Sequence, residues 1–120
     1  MTNKEFGEKL ELRTKLFAIS VLKLSGSLSN SPEARVIRNQ ITKSSTSIGA
    51  NYREANRSRS KADFRNKIKI SESEASETVY WLEIIQELNW IEVEKIDELI
   101  KEASELLAIL TAISSKMKEK

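Results

Sequence analysis

The chain has no cysteine and no histidine, one proline and three glycines. The first absence excludes disulfides and thiolate chemistry. The second removes the commonest general base and the commonest transition-metal ligand. With so little Gly and Pro there is little turn chemistry, so 120 residues are expected to form a few long helices; a sheet protein of this size needs denser Gly, Pro and Asn-Gly punctuation. No apolar run approaches the roughly 18 residues of a membrane span, and the opening MTNKEFGEKLEL lacks the apolar stretch of a signal peptide. The expectation is one soluble, cytoplasmic domain spanning residues 1–120, away from membranes and long enough to bury a core.

Charge is abundant, and its distribution matters more than its sum. The net charge is +2, yet Arg35 to Lys69 holds ten Lys/Arg and two acids, while the remainder holds ten bases and sixteen acids. A strongly basic segment is therefore set in an acidic background.

Hydrophobic spacing predicts four helices. The first runs from about Glu8 to Leu28, with Leu10, Phe17, Val21, Leu24 and Leu28 on one face and Leu12, Leu16 and Ile19 as surplus apolar surface. Ser31 and Pro32 form an N-cap and first helical position for a second helix reaching about Asn56. Its face is Ala34, Ile37, Ile41, Ile48, Tyr52 and Ala55, and Ser44 and Ser45 on that face invite close approach of a neighbour. Gly49 within it costs about 1 kcal/mol relative to Ala. Ser60-Lys61-Ala62-Asp63 has the form of a capping box with Asp in place of Glu or Gln. It starts a third helix, about 40 Å long, reaching Leu88. Phe64, Ile68, Ser71, Ala75, Thr78, Leu82 and Ile85 make its core face, and Ile70, Trp81, Ile84 and Leu88 a second stripe. A fourth helix, from about Ile91 to Lys118, carries Ile96, Leu99, Ala103, Leu106, Leu110, Ile113 and Met117.

Four such helices with short connections make an all-α, up-and-down antiparallel four-helix bundle. The surplus stripes then become subunit contacts, which predicts a homo-oligomer with Leu12, Leu16, Ile19, Ile70, Trp81, Ile84 and Leu88 at its interface.

The basic residues sort onto an edge. Arg35, Lys43, Arg53 and Arg57 lie opposite the apolar face of the second helix, and Lys61, Arg65 and Lys69 form an i, i+4, i+8 row on the third. The two rows meet at Arg59. None of the cations at this corner has an evident folding role within one subunit. Together these eight are candidate contacts to RNA or DNA phosphates. One alternative is a solvated helix face. Another is pairing with the acidic later part of the third helix (Glu72, Glu83, Glu87) of a neighbouring subunit.

Other chemistry finds little footing. Glu54, Glu74 and Glu77 converge if the second and third helices are adjacent, but di-metal bundles add Glu-x-x-His and this chain has no histidine; no metal and no cofactor are expected. Ser58-Arg59-Ser60-Lys61 matches S-x-x-K without its companion motifs, and SSTSIGA (44–50) lacks the P-loop lysine. No catalytic residues, no small-molecule substrate and no enzymatic activity are expected.

The stretch IRNQITKSSTSIGANYREANRSRSKADFRNKIKISESEASETVYWLEII (37–85) resembles the signature of the 23S rRNA-intervening sequence proteins. The resemblance rests on Ser47-Ile48, Asn51, Glu54, Ser60, Phe64, Glu74, Glu77, Trp81 and Leu82, in order and at matching spacing. Relatives of that family include the accessory variability determinants of diversity-generating retroelements. The resemblance implies a four-helix bundle assembling as a ring-shaped homopentamer, encoded within insertions in bacterial ribosomal RNA genes. It brings no catalytic residues. The retroelement relatives are basic, bind nucleic acid and associate with a reverse transcriptase. Ala55 departs from the pattern, standing where many members have Gly. The functional expectation is an oligomeric bundle that binds RNA or DNA backbone. The alternative is a protein-interaction scaffold, of the reverse-transcriptase accessory type, whose charges stabilise the oligomer.

Overall fold

The computed structural model describes residues 1–117 and contains four helices, α1 (Asn3–Gly26), α2 (Pro32–Ala55), α3 (Lys61–Glu87) and α4 (Val93–Met117), with no strand among the described residues. Each connection is five residues long. Each helix packs beside its sequence neighbours, and α1 also meets α4 across a sparser seam, so the four close into a bundle of 46 × 26 × 21 Å. The diagonal pairs α1/α3 and α2/α4 keep their Cα atoms more than 8 Å apart. No described helix is long and apolar enough to cross a membrane.

Boundaries follow local chemistry. α1 starts five residues earlier than its apolar spacing suggests, because Thr2 and Glu5 form a full capping box. The Thr2 hydroxyl accepts from Glu5 N–H at 3.0 Å, and the Glu5 carboxylate accepts from Thr2 N–H at 2.8 Å. The same bonds hold the Glu5 carboxyl below its usual pKa. Ser31 caps α2 with Pro32 in the first turn. Ser60 caps α3 by accepting from Asp63 N–H at 3.0 Å, but the return bond from Asp63 is not made. Asp is one methylene shorter than the Glu of a complete box, so only half of the expected motif forms. α3 ends in a Schellman motif: Asn89 takes φ 57°, Asn89 N–H bonds Gln86 O and Trp90 N–H bonds Ile85 O. The turn delays α4 to Val93, two residues past the expected start, and the expected last residue, Lys118, lies outside the described residues.

The core is the four predicted faces. Leu10, Phe17, Val21, Leu24 and Leu28 meet Ala34, Ile41, Ile48, Tyr52 and Ala55, and α3 and α4 close over them with Ile68, Ala75, Leu82, Ile85, Ile96, Leu99, Ala103, Leu106 and Leu110. Ile37, Phe64, Ile113 and Met117 are only partly buried, and Ser114 takes an inward position beside Ile113. Small residues set the helix spacing. Ser71 Oγ donates to Ile48 O at 2.7 Å, and Thr78 Oγ1 stands 2.8 Å from both Ser44 Oγ and Glu74 O. These contacts draw α3 onto α2 at the serines marked by the sequence. Gly49 explains its own helical cost: a Cβ there would lie 2.9 Å from Thr14 Oγ1, so its absence lets α1 approach α2. The buried Thr14 hydroxyl bonds back to Leu10 O and Glu11 O.

Candidate nucleic-acid interface

The end of α2, the 56–60 connection and the start of α3 share one end of the bundle with the N-terminus of α1, where Gly7 approaches Asn56 and Tyr52. Tyr52, Ala55 and the partly buried Phe64 turn inward and fix the elements of this corner. At this corner Arg53, Arg57, Arg59, Lys61, Arg65 and Lys69 are exposed; Lys43, midway along α2, and Arg35, in its first turn at the other end of the bundle, are exposed too but lie away from the corner.

Arg57 has more to do than the sequence indicated. Its guanidinium donates to Arg53 O at 3.1 Å and stands 3.5 Å from the Glu11 carboxylate of α1, which also accepts from Asn56 Nδ2 at 2.9 Å. It therefore ties the α2–α3 connection to α1. The other seven cations form no ion pair among the described residues. Two further basic residues of the segment are structural. Lys67 reaches across to Glu54 at 2.8 Å, and this carboxylate raises its pKa. Arg38 donates to Ser25 O at 3.2 Å, to Leu28 O at 2.8 Å and to Ser29 O, closing the C-terminal end of α1. No local motif marks Arg38 for this, since its targets are set by where α1 stops.

The three carboxylates expected to converge are separated in role. Glu54 is held by Lys67, and Glu77 accepts from Trp81 Nε1 at 3.0 Å. Burial raises the Glu74 carboxyl pKa, the neighbouring Glu77 charge adds to this, and Lys43 opposes it. No cluster of three metal-ligating side chains occurs among the described residues. In the S-x-x-K stretch, Ser58 Oγ donates to Ala55 O at 2.7 Å and Ser60 Oγ is the α3 cap.

The residues expected at a subunit interface lie on two outer faces. On α1, Leu12 and Leu16 are 54% and 53% exposed, and Ile19 is also exposed. On α3, Ile70 and Leu88 are exposed, while Trp81 and Ile84 are partly buried. Tyr80, which hydrophobic spacing does not single out, is 55% exposed and packs edge-on against Trp81, with ring centroids 4.9 Å apart.

Fold and surface together define a small all-helical bundle with half of its cations, and few of its acids, along α2 and the start of α3. The chain belongs to the 23S rRNA-intervening sequence protein family, whose model matches residues 9–112. It is also similar to a crystal structure of a protein of unknown function from the S23 ribosomal protein family of Bacteroides thetaiotaomicron VPI-5482. That likeness has a TM-score of 0.81 at 36% identity, over 88% of this chain and 97% of the other. No curated protein matches the chain.

Proposed function

We propose that this protein is a non-enzymatic, self-assembling cytoplasmic bundle that binds the backbone of RNA or DNA along α2 and the first turns of α3. The observation that carries this reading is the set of seven exposed cations that form no ion pair among the described residues, with Lys43 alone near enough to a carboxylate, Glu74, to act on it. Cations left free by their own protein gain most from phosphate, because binding releases condensed counterions. The surrounding aromatics support backbone over base contact: Tyr52 is buried and Phe64 partly so, leaving no stacking platform between the charges. The family description makes a structured ribosomal RNA the first ligand to try. The five-copy ring implied by the resemblance would repeat the basic edge.

The test is a salt titration of RNA affinity. With about four phosphate contacts, the affinity should fall about a hundredfold between 50 and 200 mM salt. Arg59→Glu with Arg65→Glu, which spares the Arg57–Glu11 tie, should weaken binding and flatten the salt slope by about two. Absence of binding at low salt, or indifference to both changes, sinks the reading.

A second reading is favoured by Arg57 and Lys67, which already serve as structural ties at this corner. In it the remaining cations fix subunit register in an interaction scaffold. The same double variant would then lower the assembled mass in size-exclusion chromatography with light scattering.

A further inference from the structure

Of the eight candidate cations Arg57 alone forms an ion pair among the described residues, and the pair is loose. A single nitrogen, Nη1, stands 3.5 Å from the Glu11 carboxylate, and the side chain is 60% exposed. Arg13, on the same helix as Glu11, is held more closely: Nε and Nη2 reach Glu102 at 2.7 and 2.8 Å. The carboxylate at Arg57 comes from α1 because the basic segment has none to give. Between Arg35 and Lys69 the only acids are Glu54, which Lys67 takes, and Asp63 at the start of α3. α1 brings Glu8 and Glu11, three residues apart and so on one helical face. Two open hollows along the α1–α2 seam share these carboxylates, one bordered by Lys15 and Arg53, the other by Lys4 and Arg57. Two acids thus stand among four cations, beside the arginines that end α2.

We infer that Glu11 holds, in the free protein, the place that a nucleic-acid phosphate takes at Arg57, and so sets the affinity of the basic edge by competing for that guanidinium. This rests on the nucleic-acid part of the proposed function and does not depend on how copies assemble. The exchange is favourable by magnitude. An exposed pair made through one nitrogen contributes little to the fold, whereas a phosphate accepts two parallel N–H bonds from the same group. Nε and Nη2 of Arg57 donate to nothing among the described residues, so that forked edge is free to receive it. Neither partner is stranded when the pair parts: Glu11 keeps the bond from Asn56 Nδ2 at 2.9 Å, and its carboxylate is not sealed from water. Glu8, exposed and in no ion pair among the described residues, repels the same backbone without holding a cation. The device favours polyanions. A lone phosphate merely replaces one carboxylate at Arg57, whereas a backbone that also meets other cations of the edge gains enough to displace it.

Removing the competitor tests this. Glu11→Gln keeps an oxygen for Asn56 and loses the charge. Its affinity for a fluorescein-labelled RNA hairpin, read by anisotropy, should rise about fivefold over the wild type at 50 mM salt, the factor an exposed pair is worth. The gain should shrink at 200 mM salt, which screens the pair in the free protein. In a chain that already carries Arg57→Gln, Glu11→Gln should change affinity by less than about twofold, because the two residues act as one unit. Glu98→Gln makes the same change of net charge on α4, diagonally across the bundle from α2, and should also change affinity by less than about twofold. A wild type that does not bind the hairpin at low salt overturns the nucleic-acid reading and this inference together. A wild type that binds, with Glu11→Gln binding equally or more weakly, leaves Glu11 as a structural tie and overturns this inference alone. So does a gain that survives the loss of Arg57, or one that Glu98→Gln matches, since net charge then accounts for it.

Discussion

The seam between α2 and α3 and the seam between α1 and α4 are built on different principles. Along the first, Ser44, Ser71 and Thr78 are fully buried, and their hydroxyls bond across or along the helices with Ala75 beside them. Small side chains bring the backbones close, and each buried hydroxyl finds its partner. Along the second, Arg13 reaches across part-exposed surface to Glu102 at 2.7 Å and to Glu105 at 2.7 Å, above an open groove bordered by Leu16, Phe17, Ser20 and Leu99. The first seam fixes the corner that presents the basic edge. The second leaves α1, with its outer apolar stripe, as the helix least held by the rest of the bundle.

The largest effect separating the two seams should come from one substitution placed in each. Ser44→Leu adds bulk where α2 and α3 already touch and removes the hydroxyl 2.8 Å from Thr78 Oγ1. Overpacking of this kind should cost about 3 kcal/mol, read as a lower urea midpoint at unchanged slope. Ser20→Leu places the same side chain beside the open α1–α4 groove and should change stability by less than about 0.5 kcal/mol. Equal costs at the two sites would erase the distinction.

A smaller effect tests what holds α1. Arg13 binds Glu102 with two nitrogens, Nε and Nη2, and these carboxylates push its already high pKa further up. The group is more than a third exposed, so its pairing should stabilise the fold by no more than about 1 kcal/mol. That loss should be local. Arg13→Ala should speed hydrogen exchange of α1 amides about fivefold while α2 and α3 amides hold their protection. Molar salt should reproduce part of the change in the wild type by screening the pair. Uniform acceleration over all four helices would mean that α1 is not a separable unit.

Much of the bundle was legible because helical periodicity survives whatever the helix packs against: all five core positions expected of the first helix are buried. What escaped was polar or relational. Thr14 and Ser114 are buried hydroxyls, and a search for apolar spacing passes over them. The Thr2-x-x-Glu5 box lies ahead of the first stripe residue, where spacing says nothing, though the cap motif itself was available to be read. Asn89 just past a long apolar repeat is the usual substitute for a helix-ending glycine. For the candidate site, exposure of the cations followed from their place opposite an apolar face. Which of them are engaged did not, because Glu11 reaches Arg57 only once α1 lies against the end of α2. Arg38 was hidden for the same reason.

The smallest effect concerns acid, where α1 and α3 should respond in opposite senses. Bonds from Thr2 lower the Glu5 carboxyl from its ordinary value of 4.5. A depressed folded-state pKa contributes stability above the unfolded value, and that contribution is lost as pH falls through the folded one. Glu74 on α3 is raised from 4.5 by burial, with Glu77 adding to the shift. Its charged form is the disfavoured one, so protonation on acidification relieves strain, and stability from this group is lost as pH rises through its folded value. Lowering pH from about 6 to about 3.5 should therefore fray the start of α1 before the middle of α3. Protection of the amides near Phe6 and Gly7, taken relative to the intrinsic exchange rate at each pH, should fall first, while amides near Ala75 keep theirs. Glu5→Gln, which retains an acceptor oxygen without the titrating charge, should abolish the acid dependence at α1 and leave α3 unchanged. Persistence of that dependence in Glu5→Gln would assign the acid sensitivity of α1 to a group other than its cap.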